Sequence, residues 1–153
     1  MSDICESAAG LRIASCCCPG GYRSLIKLPD QVGILVVEDD VTIRRLLKMV
    51  LEREGYSVEM VGDGLEAVLK VVHADYDVIV LDLMMPNLDG FAFMAALEAN
   101  DPSWLKRVIV TSAASPGVIA ARLRGLPFDI LAKPFNIRDL AASVRACIAA
   151  QSG

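Results

Sequence analysis

The feature that most constrains the fold is a regular alternation of short apolar runs with longer amphipathic segments. The apolar runs are VGILVVE, YSVEMV, DVIVLDL, RVIVTSA and DILAKP, at 32–38, 56–61, 77–83, 107–113 and 129–134. The first of them, VGILVVE, is a continuous apolar run of the kind that is typical of a strand covered on both faces. Helical segments follow them at 39–55, 62–72, 90–100, 116–126 and 136–150. Strands that alternate with helices predict a doubly wound α/β fold, in which right-handed crossovers build a parallel sheet between two helical layers.

The helical segments carry recognisable stripes and ends. Apolar residues recur at the spacing of one helix face: Ile43, Leu46, Leu47, Val50 and Leu51 in the first segment, and Ile137, Leu140, Ala141, Val144 and Ile148 in the last. Asp40 is predicted to cap the start of the first helix and Gly55 its end. Asp63 and Glu66 have the spacing of a capping box. We expect both stripes to be buried, and the side chains of Met84, Met85 and Met94 to pack inside as well.

The composition limits the class of partner. The 153 residues are 54% hydrophobic and 22% charged, with a formal net charge of -4. Such a chain is globular, and its charge gives no reason to expect nucleic acid or an anionic membrane surface as a partner. No apolar run approaches the roughly 18 residues that a membrane span needs. We therefore predict a soluble, cytoplasmic protein with no nucleic-acid or membrane partner.

The first 30 residues differ from the rest. They hold four of the five cysteines: Cys5, Cys16, Cys17 and Cys18. An odd number with three adjacent does not form a disulfide framework, and neighbouring cysteines cannot easily surround a zinc ion. The IASC sequence resembles a lipidation box, but it lacks the apolar segment of an export signal. We predict a flexible extension over 1–30 and a single domain over 31–153, because the chain ends soon after the fifth helix.

Polar side chains close four of the five predicted strands. They are Glu38 and Asp39 after the first, Asp82 in the third, Thr111 in the fourth and Lys133 in the fifth. The carboxyl ends of parallel strands meet at one edge of a sheet, where open α/β proteins bind ligands, so we expect these groups to converge. Three converging carboxylates repel one another unless a cation lies among them. Oxygen ligands with room for water and phosphate suit Mg²⁺ better than zinc.

The same residues fit phosphoryl transfer. An aspartate carboxylate can act as a nucleophile toward phosphorus and form an acyl phosphate. Lys133 can hold phosphoryl oxygens as a point charge, and Thr111 can donate a hydrogen bond to them. Mg²⁺ and the lysine would neutralise the charge that spreads over the transferring oxygens. These residue types therefore predict Asp82 as a phosphoacceptor.

Four motifs, ILVVEDD, VLDLMMPNLDG, VIVTSA and KPF, occur in order and at suitable spacing. From about Gly33 to Gly153 the chain resembles a response-regulator receiver domain of two-component signalling, of the stand-alone, chemotaxis-regulator-like kind. The resemblance implies a flavodoxin-like five-stranded sheet of order 2-1-3-4-5 with five helices. It implies transfer to Asp82 from a histidine kinase or a histidine phosphotransfer protein. It also implies a cis bond before Pro134 and Mg²⁺ ligands from Glu38, Asp39, Asp82 and the Met84 carbonyl.

Several positions depart from the family's pattern. Many members have an aromatic residue three positions before the strand-five lysine, where this chain has Ile130, and Pro127 precedes the strand. Met84 and Ala113 occupy positions that tune hydrolysis in the family, and neither side chain can orient a water molecule by hydrogen bonding. We therefore expect slow self-dephosphorylation.

The resemblance also implies how the protein acts. We expect a phosphoacceptor rather than an enzyme, working through phosphorylation-controlled contact between proteins. The fourth helix, fifth strand and fifth helix would form the contact face, and its arginines suit an acidic partner: Arg122, Arg124, Arg138 and Arg145.

Two alternatives remain at this stage. Phosphatases and phosphotransferases of the haloacid dehalogenase type also use a strand-end aspartate with Mg²⁺, but they want a second aspartate where this chain has Met84. An interaction module that works without phosphorylation would have no need of the intact polar set.

Overall fold

The computed structural model describes residues 31–86, 89–123, 125 and 127–153. The predicted extension over 1–30, with its four cysteines, lies outside the described residues. The five strands are β1 Gly33–Val37, β2 Ser57–Val61, β3 Val78–Asp82, β4 Val108–Ser112 and β5 Asp129–Ala132. The five α-helices are α1 Val41–Arg53, α2 Gly64–His73, α3 Gly90–Asn100, α4 Pro116–Arg122 and α5 Ile137–Gln151. A 3₁₀ helix over Pro102–Arg107 precedes β4.

The strands form one parallel sheet in the order β2-β1-β3-β4-β5. This confirms the predicted flavodoxin-like architecture. The three inner strands β1, β3 and β4 are buried along their whole length, as their continuous apolar sequences predict. Their register sets Asp82 directly beside Thr111 on the neighbouring strand.

The sheet is covered on both faces by separate apolar clusters. Leu35 and Ile79 point to one face, where they pack with Phe93 and other residues of α2, α3 and α4. Val80 points to the opposite face, where it packs with Leu47 of α1, and Leu140 and Val144 of α5 belong to the same cluster. The residues that alternate along each strand therefore fill two cores, and the polar residues at the strand ends lie beyond both.

The predicted caps at both ends of α1 and at the start of α2 are confirmed. The Asp40 carboxylate accepts hydrogen bonds from two backbone N–H groups of the first turn of α1, and the Asp63 carboxylate accepts one of 2.7 Å from the Glu66 N–H. Gly55 follows α1 with a positive φ of 95°, a conformation that glycine adopts without strain. Asp89 also caps α3 through the Phe91 N–H.

Three side chains that were expected to be buried are exposed. Leu46 is 39% exposed, at the margin of the α1 stripe, and Ile137 is 37% exposed, because it lies in the first turn of α5. Met84 is 61% exposed, because the chain leaves the sheet directly after β3. Met85 and Met94 are buried as predicted.

Two elements between α3 and β5 differ from the predicted pattern. The 3₁₀ helix is capped by Asp101 and starts at Pro102, and six residues are too few to show a period. Helix α4 ends four residues earlier than predicted, because Leu123 is already extended, with φ of −87° and ψ of 135°. No helix among the described residues has the length and apolar character to cross a membrane.

Candidate functional site

The carboxyl edge of the sheet brings the predicted polar residues together. Glu38 and Asp39 follow β1, and Asp82 closes β3. One carboxylate oxygen from each of the three lies within 4.8 Å of the others. Lys133 follows β5, and its Nζ lies 3.0 Å from Glu38 Oε2 and 3.0 Å from Asp82 Oδ2. The arrangement is therefore an acidic cluster with one lysine shared between its two buried members.

Burial controls the electrostatics of this cluster. Glu38 is 2% exposed and Asp82 4% exposed, whereas Asp39 is exposed. Burial raises the pKa of Glu38, and the neighbouring Asp82 raises it further, although the hydrogen bond from Lys133 opposes both effects. Burial alone would lower the pKa of Lys133, but its hydrogen bonds to Glu38 and Asp82 outweigh that effect and leave the pKa raised. The lysine therefore stays charged at neutral pH and offsets part of the repulsion.

Both oxygens of Asp82 are held in place. Oδ1 accepts a hydrogen bond of 3.0 Å from the Met84 N–H, and Oδ2 accepts the bond from Lys133. The Met84 amide was not among the predicted contacts, although an aspartate side chain commonly accepts a hydrogen bond from the N–H two residues on. The two bonds fix the orientation of the carboxylate.

The neighbouring hydroxyl is buried but loosely bonded. Thr111 is 1% exposed, and its Oγ1 donates to the Leu81 carbonyl at 3.5 Å, which is long for an O–H donor. The hydroxyl is therefore available to a stronger acceptor beside Asp82.

The end of β5 carries the predicted peptide geometry. The Lys133–Pro134 bond is cis, and the Lys133 N–H donates a 2.7 Å hydrogen bond to the Ser112 carbonyl of β4. The position where many family members have an aromatic residue is the half-buried Ile130, which packs against the core on the α2, α3 and α4 face. Where many family members have an aromatic residue, this chain therefore has an aliphatic one that is already packed against the core.

Two contacts that sequence reasoning missed support the cluster. Arg44 of α1 donates to the backbone carbonyl of Glu38 at 2.8 Å. Gly90, the first residue of α3, lies so close to the end of β3 that a Cβ there would be 2.8 Å from the Asp82 carbonyl oxygen. Each contact crosses the loop between a strand and the helix that follows it, so the period of neither element could have indicated it.

The donor set fits Mg²⁺. Three carboxylates supply hard oxygen ligands, and within the described part of the chain no histidine or cysteine joins this cluster. Oxygen-only ligation suits Mg²⁺, whereas zinc sites are usually built with histidine or cysteine. The exposed Asp39 leaves one side of the cluster open to solvent.

The predicted partner face already has some of its charge paired within the chain. Arg122 lies 3.7 Å from an Asp89 oxygen and 3.9 Å from the centre of the Phe91 ring. Arg145 pairs at 2.9 Å with Glu54, just after α1. Arg138 is exposed, and Arg124 is outside the described residues. The acidic partner therefore stays a prediction.

Taken together, a parallel sheet of order 2-1-3-4-5 and an acidic cluster at its carboxyl edge define a flavodoxin-like protein whose site lies at the point where strand order reverses. A family model described as "Response regulator receiver domain" matches residues 34–145. The chain belongs to this family of two-component signalling proteins. Its members take phosphoryl groups from histidine kinases, bind Mg²⁺ in an acidic pocket and are not classical enzymes. The haloacid dehalogenase alternative therefore loses its support.

Curated relatives share the same region. The chain is 41% identical over 118 residues to "Transcriptional regulatory protein TcrA" of Mycobacterium tuberculosis, an alignment that covers 75% of this chain and 45% of the relative. It is 36% identical over 122 residues to "Transcriptional regulatory protein ResD" of Bacillus subtilis, covering 78% of this chain and 49% of that protein. The chain thus spans about half the length of the curated relatives it matches.

Solved structures of receiver domains superpose along nearly their whole length. The receiver domain of the Francisella response regulator 1452 is 32% identical, with a TM-score of 0.72, over 79% of this chain and 99% of that one. The response regulator TrrA of Thermotoga maritima, solved in complex with Mg(2+)-BeF, is 27% identical, with a TM-score of 0.65, over 76% of this chain and 99% of that one. The similarity therefore extends over the whole receiver fold.

Proposed function

We propose that Asp82 is the phosphoacceptor of this receiver domain and takes its phosphoryl group from the phosphohistidine of a histidine kinase or histidine phosphotransfer protein. The observation that carries the proposal is the geometry of Asp82. Its carboxylate is buried at the end of a central strand, is oriented by Lys133 and the Met84 amide, and lies beside two more carboxylates. Burying an ionised carboxylate costs free energy, so its burial at this position indicates a functional role.

Mg²⁺ belongs to the proposal. Glu38, Asp39 and Asp82 would hold it through their carboxylates, and Met84 through its backbone carbonyl. When bound, the ion supplies charge neutralisation for the oxygens of the transferring phosphoryl group.

The protein groups would divide the work of transfer. An Asp82 oxygen attacks phosphorus while the bond from phosphorus to the imidazole nitrogen breaks. The nitrogen keeps the electron pair of that bond and the phosphoryl group becomes an acyl phosphate on Asp82. Lys133 exchanges its bond with the Asp82 carboxylate for a phosphoryl oxygen. Thr111 exchanges its long bond with Leu81 for a shorter one to the same group, which draws the end of β4 toward the site.

The output of the domain would be a controlled protein contact. The acyl phosphate carries about -1.5 to -2 charges where the free carboxylate carried -1, and the movement of Thr111 would pass to α4 through the loop that follows β4. The partner is proposed to bind the face formed by α4, β5 and α5. Because the chain spans about half of its curated relatives, the proposal covers the receiver unit, and the absence of a nucleic-acid partner stays a prediction.

The proposal is tested by intact mass spectrometry. The full chain is incubated with Mg²⁺ and acetyl phosphate, and wild type is compared with Asp82→Asn. Asp75→Asn is a matched control, since Asp75 is exposed before β3 and pairs with Arg107 rather than with the cluster. We expect wild type and the control to gain one phosphoryl mass, and Asp82→Asn to gain none.

Two outcomes contradict the proposal. One is a wild-type protein that gains no mass from acetyl phosphate or from a phosphorylated histidine kinase. The other is an equal gain in Asp82→Asn. The first result would favour the interaction module that works without phosphorylation, and the second would assign the phosphoacceptor to a residue other than Asp82.

A further inference from the structure

Arg44 connects α1 to the acidic loop that follows β1. Its Nη1 donates a hydrogen bond of 2.8 Å to the Glu38 carbonyl and a longer one of 3.4 Å to the Asp39 carbonyl. Its own backbone N–H bonds the Asp40 carbonyl at 2.9 Å. The half-buried guanidinium therefore restrains the backbone of Glu38 and Asp39, whose carboxylates belong to the cluster. A charged donor makes a stronger hydrogen bond than a neutral one.

Gly62, the residue after β2, provides the space in which this guanidinium lies. A Cβ at position 62 would be 2.6 Å from Arg44 Nη1 and 3.3 Å from its Cζ. No side chain at position 62 is compatible with the observed position of Arg44. The atoms that would be displaced are the far end of a flexible side chain, so the guanidinium could swing away while the backbone of both residues stays in place.

We propose that Arg44, whose guanidinium lies against Gly62, is a positioning residue for the metal site. It holds the turn between β1 and α1 so that the carboxylates of Glu38 and Asp39 face Asp82. The inference rests on the proposed function, because it concerns the affinity of the same site for Mg²⁺. Partners that orient metal ligands typically change metal affinity by about 10–100-fold when they are lost.

The test measures Mg²⁺ binding by isothermal titration calorimetry on the full chain, without a phosphodonor. The variants are Arg44→Gln, Gly62→Ala and the double variant. Arg45→Gln is the matched control, since Arg45 is the next arginine on the same helix and is exposed. We expect Mg²⁺ affinity to fall about tenfold in each single variant and to stay unchanged in the control. The double variant is expected to match the single ones, because both substitutions remove the same contact.

Urea denaturation separates positioning from a purely structural role. Gly62→Ala restricts the unfolded chain, which offsets the loss of the Arg44 hydrogen bonds at least in part, so its unfolding midpoint is expected to stay close to that of wild type. A loss of Mg²⁺ affinity in this variant cannot then come from unfolding. Arg44→Lys, which keeps one cationic donor, is expected to restore part of the affinity.

Unchanged Mg²⁺ affinity in Arg44→Gln would overturn the inference. If the loss of Mg²⁺ affinity in the double variant equals the product of the two single losses, Gly62 does not act by giving space to the Arg44 guanidinium. If wild type accepts a phosphoryl group and binds Mg²⁺ while the Arg44 and Gly62 variants do so equally well, only this inference fails. If wild type accepts no phosphoryl group, the proposed function itself fails.

Discussion

The start of α3 approaches the end of β3 so closely that residue 90 has no space for a side chain. A Cβ on Gly90 would lie 2.6 Å from Leu83 Cα and 2.8 Å from the Asp82 carbonyl oxygen. Both are backbone atoms and cannot rotate away. The Gly90 N–H also bonds the Leu83 carbonyl at 3.3 Å. The substitution Gly90→Ala must therefore move either the first turn of α3 or the segment that carries Asp82.

The expected cost follows from these contacts. Forcing a methyl group into closely packed space costs about 1–3 kcal/mol. Replacing glycine with alanine returns about 0.5–1 kcal/mol, because the unfolded chain has less freedom to lose. The net loss in the free energy of unfolding is therefore up to about 2.5 kcal/mol, which lowers the melting temperature of a domain of this size by up to about 10 °C. The displacement of the Asp82 backbone should also slow phosphorylation by acetyl phosphate.

The assay is urea denaturation followed by circular dichroism. Gly117→Ala in α4 is the control, because a Cβ there would meet nothing within 4 Å. This variant is expected to be as stable as wild type or more stable by up to about 1 kcal/mol. If Gly90→Ala proves as stable as Gly117→Ala, the close approach of α3 to β3 is not a real constraint and the reasoning is refuted.

Three further predictions concern the acidic cluster. Lys133→Met leaves Glu38 and Asp82 buried without their shared cation, so the free energy of unfolding should fall by up to about 3–5 kcal/mol in urea titrations without Mg²⁺; an unchanged midpoint would contradict this. The pKa of Glu38 is raised by burial above its ordinary value of 4.5, so its contribution to stability is complete below that value and is lost as pH rises through the folded-state pKa. As pH rises above 4.5, metal-free wild type should thus lose more stability than Glu38→Gln. Parallel pH profiles of the two proteins would contradict a raised pKa of Glu38. Replacing Met84 with Glu or Ala113 with Asn should speed acyl-phosphate decay, because either side chain can orient a water molecule; equal decay rates by intact mass would show that these positions do not control hydrolysis in this protein.

The convergence of the polar residues could be predicted because it follows from topology alone. Parallel strands end at the same edge of a sheet, so placing Glu38, Asp82, Thr111 and Lys133 at strand ends was enough to bring them together. The strand order is a different matter. Periodicity does not tell which strand is central, and the order came from the family resemblance.

The contacts that orient the cluster could not be predicted in the same way. Arg44 of α1 contacts Gly62, the residue after β2, and Gly90 at the start of α3 contacts the end of β3. Such approaches depend on how far apart two elements pack, which the period of a sequence does not encode. The exposed Leu46 shows the same limit, because the width of a buried stripe depends on how the helix is rotated against the sheet.

The buried carboxylates explain why the site is responsive. Glu38 and Asp82 share one ammonium group at 3.0 Å each, so among the described residues these two carboxylates have a single cation between them. A bound cation relieves their repulsion, and this relief adds to its binding free energy by linkage. A phosphoryl group on Asp82 is a more highly charged acceptor than the carboxylate, so the ammonium group of Lys133 can exchange its hydrogen bond to the carboxylate for one to the phosphoryl oxygens. The same imbalance that destabilises the metal-free cluster therefore favours both of the events that the site is proposed to carry out.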